Sequence, residues 1–327
     1  MTRIGQLGSR LTGVAAVVAL CCPGPVLSQA WPSRTVTIVS PFAAGSGVDI
    51  LGRHLANEFQ DKLGHPFVVE NKVGANGNVG AAAAAKAAPD GNTLLIVTPG
   101  IAVQNKYVYK SMPFDFERDF SPIVLVAKAP MMVMVNPKVA AKTLPDLIAY
   151  ARANPGKINV SSTGTGSQGH VTLDLMKRMA GFDMAHVPYN NTASMNTDIV
   201  SGQVEATINY VTTMAGLVKA GDVRALAITS KQRAQDFPDV PTLEEAGFPG
   251  LESVGWYGLY SPRGAPPEVA AKIAPLVNAW IASDRGKQAL RDLGMQATGG
   301  GADALNAWIK VEDARWGAIL KAVVVPQ

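Results

Sequence analysis

The chain has 327 residues, 47% of them hydrophobic and 17% charged, with a formal net charge of +4. So mild a charge gives no basis for nucleic-acid binding, and two cysteines cannot make a disulfide-stapled scaffold. The length suffices for two lobes, each with its own core.

Arg3 and Arg10 form a basic start, followed by the apolar run Leu11 to Leu20. That run is too short to cross a bilayer, which takes about 20 residues, but suits the core of an export signal. Pro23 and Pro25 end it, and Ser28-Gln29-Ala30 offers a small-x-small cleavage site. Residues 1–30 are therefore read as a removed signal peptide, and the mature chain from Trp31 as periplasmic. Cys21 and Cys22 both fall in the signal, so the mature chain holds no thiol. Lipid attachment at either cysteine is the alternative, disfavoured by the bulk of Leu20.

From Trp31 onward, short apolar strands alternate with helical segments, the pattern of an α/β fold. Strands are predicted at 35–40, 67–70 and 93–98, with helices at 49–63 and 81–88 between them. Asp49 is placed as the first helix's N-cap. Apolar stretches at 123–127 and 131–135, parted by Lys128-Ala129-Pro130, mark a passage between lobes. A helix at 144–154, a strand at 157–161 and a helix at 169–180 follow. Further strands are expected at 184–187, 206–209 and 224–229. A Pro/Gly-rich connection at 237–251 leads to the return strand 255–260 and helices at 267–283, 285–293 and 302–324. The expected architecture is a two-lobe α/β fold with two crossings and a cleft at the interface. Residues 31–128 plus 253–327 form the first lobe and 129–252 the second.

Three loops rich in Gly, Ser, Thr and Asn leave a strand and enter a helix: 42–49, 74–80 and 161–169. Such loops gather at the carboxyl edge of a parallel sheet, where ligands bind. Their backbone N–H groups and the following helix N-termini make anion sites. The first and third contain no Lys or Arg, which suits a carboxylate held by N–H groups and hydroxyls. Tyr189 and Trp256 stand beside this loop chemistry and join the candidate ligand contacts.

Enzymatic readings are weaker. Gly164-Thr165-Gly166-Ser167-Gln168-Gly169 matches G-x-G-x-x-G, but the next strand ends His186-Val187-Pro188-Tyr189, without the acidic residue a dinucleotide site needs. Thr165 stands where G-x-S-x-G needs glycine, so Ser167 is a ligand hydroxyl or cap rather than a nucleophile. An exported serine hydrolase using Ser167 is kept as the rival. His54, His65, His170 and His186 are scattered, without metal-ligand spacing. No cofactor and no metal are expected.

The order and spacing of several motifs resemble the periplasmic solute-binding subunits of tripartite tricarboxylate transporters, the Bug family. They include Trp31-Pro32-Ser33-Arg34, Pro41-Phe42-Ala43-Ala44-Gly45-Ser46-Gly47-Val48-Asp49, Val69-Glu70-Asn71-Lys72, and Ala87-Ala88-Pro89-Asp90-Gly91. Val135-Asn136-Pro137, His186-Val187-Pro188-Tyr189 and Asp239-Val240-Pro241-Thr242 continue the pattern. The resemblance implies a type II periplasmic binding protein that closes on a small carboxylate, with integral membrane transporter subunits as partners. The protein is expected to act as a monomer; a ligand sensor with a signalling partner is the variant reading. By position, the resemblance places Phe42, Gly45, Ser46, Gly47 and Asp49 on the first ligand loop and Thr98 at the end of the third strand. Thr163, Gly164, Ser167 and Gln168 fall on the second-lobe loop. Ala44 and Ser46 depart from the family's usual proline and glycine. Asn209-Tyr210 stands where many members carry an acidic residue, so Asn209 completes the candidate set and Tyr210 is expected to favour an aromatic or bulky ligand.

Overall fold

The structure is a computed structural model, and it describes residue 2 and residues 30–189 and 191–323. The expected signal peptide, with Cys21 and Cys22, lies outside the described residues apart from its two positions Thr2 and Ala30.

The first elements are β1 (Val36–Ser40), α1 (Gly47–Leu63), β2 (Phe67–Asn71), α2 (Asn78–Ala85) and β3 (Thr93–Val97). A π-helical turn (Gly100–Gln104) leads into α3 (Asn105–Val108) and α4 (Phe116–Asp119). The long strand β4 (Phe120–Val135) then starts a second group: α5 (Leu144–Ala153), β5 (Asn159–Ser162), α6 (Gln168–Ala180), β6 (Ala185–Pro188) and α7 (Thr192–Ser201). That group continues with β7 (Ala206–Tyr210), α8 (Val211–Ala220) and β8 (Arg224–Ile228). The chain returns through β9 (Val254–Pro262) to α9 (Pro267–Ala282), α10 (Asp284–Asp292), β10 (Gln296–Ala297) and α11 (Ala302–Val323).

The strands follow the order β2-β1-β3-β9-β4-β7-β5-β6. β1 lies parallel between β2 and β3, and β5 parallel between β6 and β7, so each half has a parallel core. Strands buried on both faces need near-continuous apolar sequence. TLLIV in β3 and the whole of β9 meet that need. Each half has an apolar cluster of its own. Leu51, Leu55, Phe59 and Trp280 pack on one, and Leu144, Leu147, Ile208 and Phe248 on the other.

β4 joins the halves. Phe120 to Pro130 pairs antiparallel with β9, and Met131 to Val135 pairs with β7 and β8. The sequence reading parted this segment into two apolar stretches at Lys128-Ala129-Pro130. It continues because Pro130 is the last residue paired with β9, so its missing N–H falls where the strand changes partner. The return passage runs beside it: Val254 is in register with Pro130, and Thr229 N–H donates to Met131 O at 2.9 Å. β9 therefore begins at Val254, one residue earlier than expected.

Two further expectations are corrected. Ser46, not Asp49, caps α1: its Oγ accepts the Asp49 N–H at 3.3 Å, and the helix starts at Gly47. α7 and α8 were not foreseen. Asn191 caps α7, but α8 follows β7 without a spacer and without a capping side chain, so no local signal marks its start.

Candidate functional site

Six strand-to-helix junctions converge on one cavity of about 510 Å³. They are the exits of β1, β2, β3, β5, β6 and β7, the carboxyl ends where α/β sheets place ligands. The size falls within the range of small-molecule sites. No Lys, Arg, His, Asp or Glu is among the described lining residues.

From β1, Phe42, Gly45, Ser46 and Gly47 line the cavity, and Thr98 does so at the end of β3. Thr163, Ser167 and Gln168 enter from the β5–α6 loop, with Tyr189 after β6 and Asn209 in β7. Three sequence candidates do not line it. Asp49 is 2% exposed beneath the first loop; Gly164 belongs to the turn behind Ser167; Trp256 is 0% exposed, in the apolar cluster of β3, β9 and α11.

Asp49 shapes the first loop instead of touching the cavity. One carboxylate oxygen accepts the Gly45 N–H at 2.9 Å and Arg53 Nε at 3.0 Å. The other accepts Asn71 Nδ2 at 2.9 Å and Arg53 Nη2 at 3.0 Å. Asn71 also donates to Phe42 O at 2.9 Å. Burial alone would raise this carboxyl's pKa, but the hydrogen bonds from Arg53, Gly45 and Asn71 outweigh it and hold it below the usual value. Gly45 has φ +79°, a left-handed conformation that a side chain would strain, and this turns its N–H inward to Asp49.

Ser167 is the N-cap of α6, accepting the His170 N–H at 3.4 Å, and it donates to Ser162 Oγ at 3.0 Å. His186 Nε2 is 2.7 Å from Ser162 Oγ, and Gly166 N–H donates to His170 Nδ1 at 2.9 Å. The two imidazoles stack at 3.8 Å. Burial, then the neighbouring His170 and Lys177, lower His186 to about 3, so that ring is neutral, and burial lowers His170 as well. Ser167 thus meets no base, and the serine that does meet one, Ser162, is 1% exposed. No nucleophile–base pair is formed at Ser167 among the described residues.

Tyr189 lines the cavity with its ring while its hydroxyl donates to Asp198 Oδ2 at 2.6 Å. Burial and then Asp198 push that hydroxyl's pKa up to about 12, so it stays protonated. Behind the cavity, Gln104 Nε2 donates to Gln168 Oε1, and Gln168 Nε2 donates to Ser253 Oγ at 2.7 Å. This buried chain ties the π-helical turn to α6 and to the return passage.

The sequence reading missed Asn76, Gln104, Asn191, Thr192, Thr212, Thr213 and Tyr257 among the lining residues. Asn76 lay in a loop already singled out, with a left-handed φ of +49°. Asn191, followed by Met195 and Ile199 at helical spacing, was a readable cap. Gln104 and Tyr257 carried no local signal.

Four helices of ordinary length, α1, α6, α7 and α8, begin at this cavity, contributing Gly47, Gln168, Thr192 and Thr212. α1 and α8 come so close that a β-carbon on Gly47 would lie 3.7 Å from the Thr212 hydroxyl. Positive helix ends thus converge on a cavity with no charged residue among its described lining residues, in a two-lobe α/β fold shared with solved periplasmic binding proteins of the type II kind. Residues 51–325 match the family model described as tripartite tricarboxylate transporter family receptor, and the chain belongs to that family.

A Pseudomonas sp. (strain P51) protein, described as a UPF0065 protein in the tcbD-tcbE intergenic region, is 34% identical over 96% of this chain and 94% of its own. Protein BugT of Bordetella pertussis is 30% identical over 98% of this chain and 97% of its own. Among solved structures, R. palustris Rpa4515 with adipate superposes with a TM-score of 0.86 at 35% identity, covering 91% of this chain and all (100%) of that one. MatC from Rhodopseudomonas palustris with bound malate gives a TM-score of 0.81 at 30% identity, covering 89% and 100%. The family is one of receptors, so the chain is a binding protein and not an enzyme.

Proposed function

We propose that this protein is exported to the periplasm and captures a small organic carboxylate in the cavity between its lobes, for delivery to a tripartite membrane transporter. One observation carries the reading: a cavity with no charged side chain among its described lining residues receives the starts of four helices. Each start presents N–H donors and a partial positive charge, an anion site worth about 0.3–1 kcal/mol per helix, or about 2 when partly buried. Carboxylate-bound relatives with adipate and malate support it. In this reading residues 1–30 are the signal, cleaved near Ala30. Residues 31–128 plus 253–327 form one lobe and 129–252 the other, the monomer closing about β4 and the return passage. The carboxylate sits on the loops at Ser46 and Ser167, taking the Ser46 hydroxyl and, at Ser167, whose own hydroxyl is given to Ser162, the start of α6, supported by Thr98, Thr163 and Gln168.

Thermal unfolding of the chain from Trp31 with a panel of organic acids tests this. Ligand at a hundred times its dissociation constant adds about 2.7 kcal/mol and raises the midpoint by several degrees. A shift with carboxylates alone is the expected result. Shifts only with sugars or amines would overturn it.

A further inference from the structure

Asn209 lines the cavity near the end of β7 and is 1% exposed. Its Oδ1 accepts the Tyr210 N–H at 2.8 Å. A backbone N–H only donates, so this contact identifies which arm of the carboxamide carries oxygen. The other arm, Nδ2, is buried and has no partner among the described residues. A buried amide donor without an acceptor is costly, and a ligand atom in the cavity would relieve it.

The next element adds the same chemistry independently. α8 starts at Val211, and it differs from α1, α6 and α7 in having no capping side chain. Thr212 and Thr213, in its first turn, line the cavity beside Asn209. Uncapped N–H groups and the positive end of the helix dipole want an acceptor or an anion. An ammonium group here meets donors and positive helix ends, with no Asp or Glu among the described lining residues. The nearby carboxylate of Asp49 is fully taken by Gly45, Asn71 and Arg53.

We propose that Asn209 and the first turn of α8 select the ligand group that reaches them as a hydrogen-bond acceptor, so that the cavity admits an organic acid and excludes the amino acid differing from it by an ammonium. This rests on the carboxylate reading above and names its charge selectivity.

The test is calorimetric titration of the chain from Trp31 with three matched pairs: adipate and 2-aminoadipate, glutarate and glutamate, malate and aspartate. The unaltered protein binds at least one of the acids and prefers it to its amine-bearing partner by more than about tenfold, the loss expected when one charge-assisted hydrogen bond is replaced by an unpaired charge. Asn209→Asp keeps an acceptor for the Tyr210 N–H but replaces the donor with a carboxylate. The acid then binds about 10- to 100-fold more weakly, and the preference over the amino acid shrinks or reverses. Asn209→Ser, which keeps a hydroxyl donor, retains the preference and serves if the Asp variant does not fold, judged by melting temperature. An unaltered protein that binds amino acids as well as acids overturns the proposal. So does an Asn209→Asp protein with an unchanged ratio, which leaves the carboxylate reading standing. Where none of the six compounds binds, the acid that shifts the midpoint in the unfolding panel is titrated against its own amine-bearing analogue, and equal binding of that pair overturns the proposal.

Discussion

Asp49 shows how a single side chain builds a ligand loop without reaching the ligand. It holds Gly45 through one bond and Phe42 indirectly through Asn71, so the loop's shape depends on a carboxylate with four donors around it. Asp49→Ala leaves the Gly45 N–H unpaired and the Asn71 amide with only its bond to Phe42 O; Arg53, which is half exposed, turns to water. The expected loss is about 1–3 kcal/mol in urea unfolding, together with weaker ligand binding. The sign with pH follows from the depressed folded pKa. Asp49's contribution is fully present above the ordinary value of 3.8 and is lost as pH falls through the lower folded value. The difference between unaltered protein and Asp49→Ala is therefore constant from neutral pH down to about 4 and shrinks below it. A difference that vanished by pH 6 would show that some other group is responsible.

At the scale of elements, the end of β7 and the start of β9 are fitted to each other. A β-carbon on Gly255 would lie 2.5 Å from the Tyr210 ring. Gly255→Ala forces Tyr210 or the return strand to move. We expect a loss of about 1–3 kcal/mol and disturbed ligand binding, since Tyr210 lines the cavity. Removing the ring in Gly255→Ala with Tyr210→Ala restores the fit, so the two changes cost less together than their sum. Additive losses in unfolding would mean that the contact is not what limits position 255. Tyr210 thereby acts first as packing against the return strand and the apolar clusters of both halves, and its place on the cavity comes second.

The whole molecule is held together by more than the two passages. Val171 and Leu175 of α6 pack in the same apolar cluster as Trp256 of β9 and Trp316 of α11. Gln168 adds the hydrogen-bonded chain to Gln104 and Ser253. With β4 shared by both halves, neither half keeps its core if the other unfolds. The chain from Trp31 is expected to unfold in one calorimetric transition whose van't Hoff enthalpy matches the calorimetric one. Two resolved transitions, only one of them moved by ligand, would show that the halves melt independently.

What sequence alone determined is what local chemistry writes. Strand–helix alternation came from runs such as TVTIVS and TLLIV, the ligand loops from their Gly and Ser content, and the family resemblance from ordered motifs along the chain. A cap acts over three or four residues, so Ser167 was legible as a cap or ligand hydroxyl, even though the cap of α1 was misplaced by three positions from Ser46 to Asp49. Tertiary structure decided the rest because it depends on contacts between residues far apart in the chain. Asn71 reaches Phe42 across 29 positions and Gln104 reaches Gln168 across 64. Pro130, read as a break, sits inside a continuous strand because its partner changes there. Trp256 faces a core instead of the cavity, since alternate residues of a strand point to opposite faces and only the packed sheet says which face is which. That no charged residue is among the described lining residues, and that the buried Asn209 amide has no partner among the described residues, became visible only once six strand ends from distant segments met.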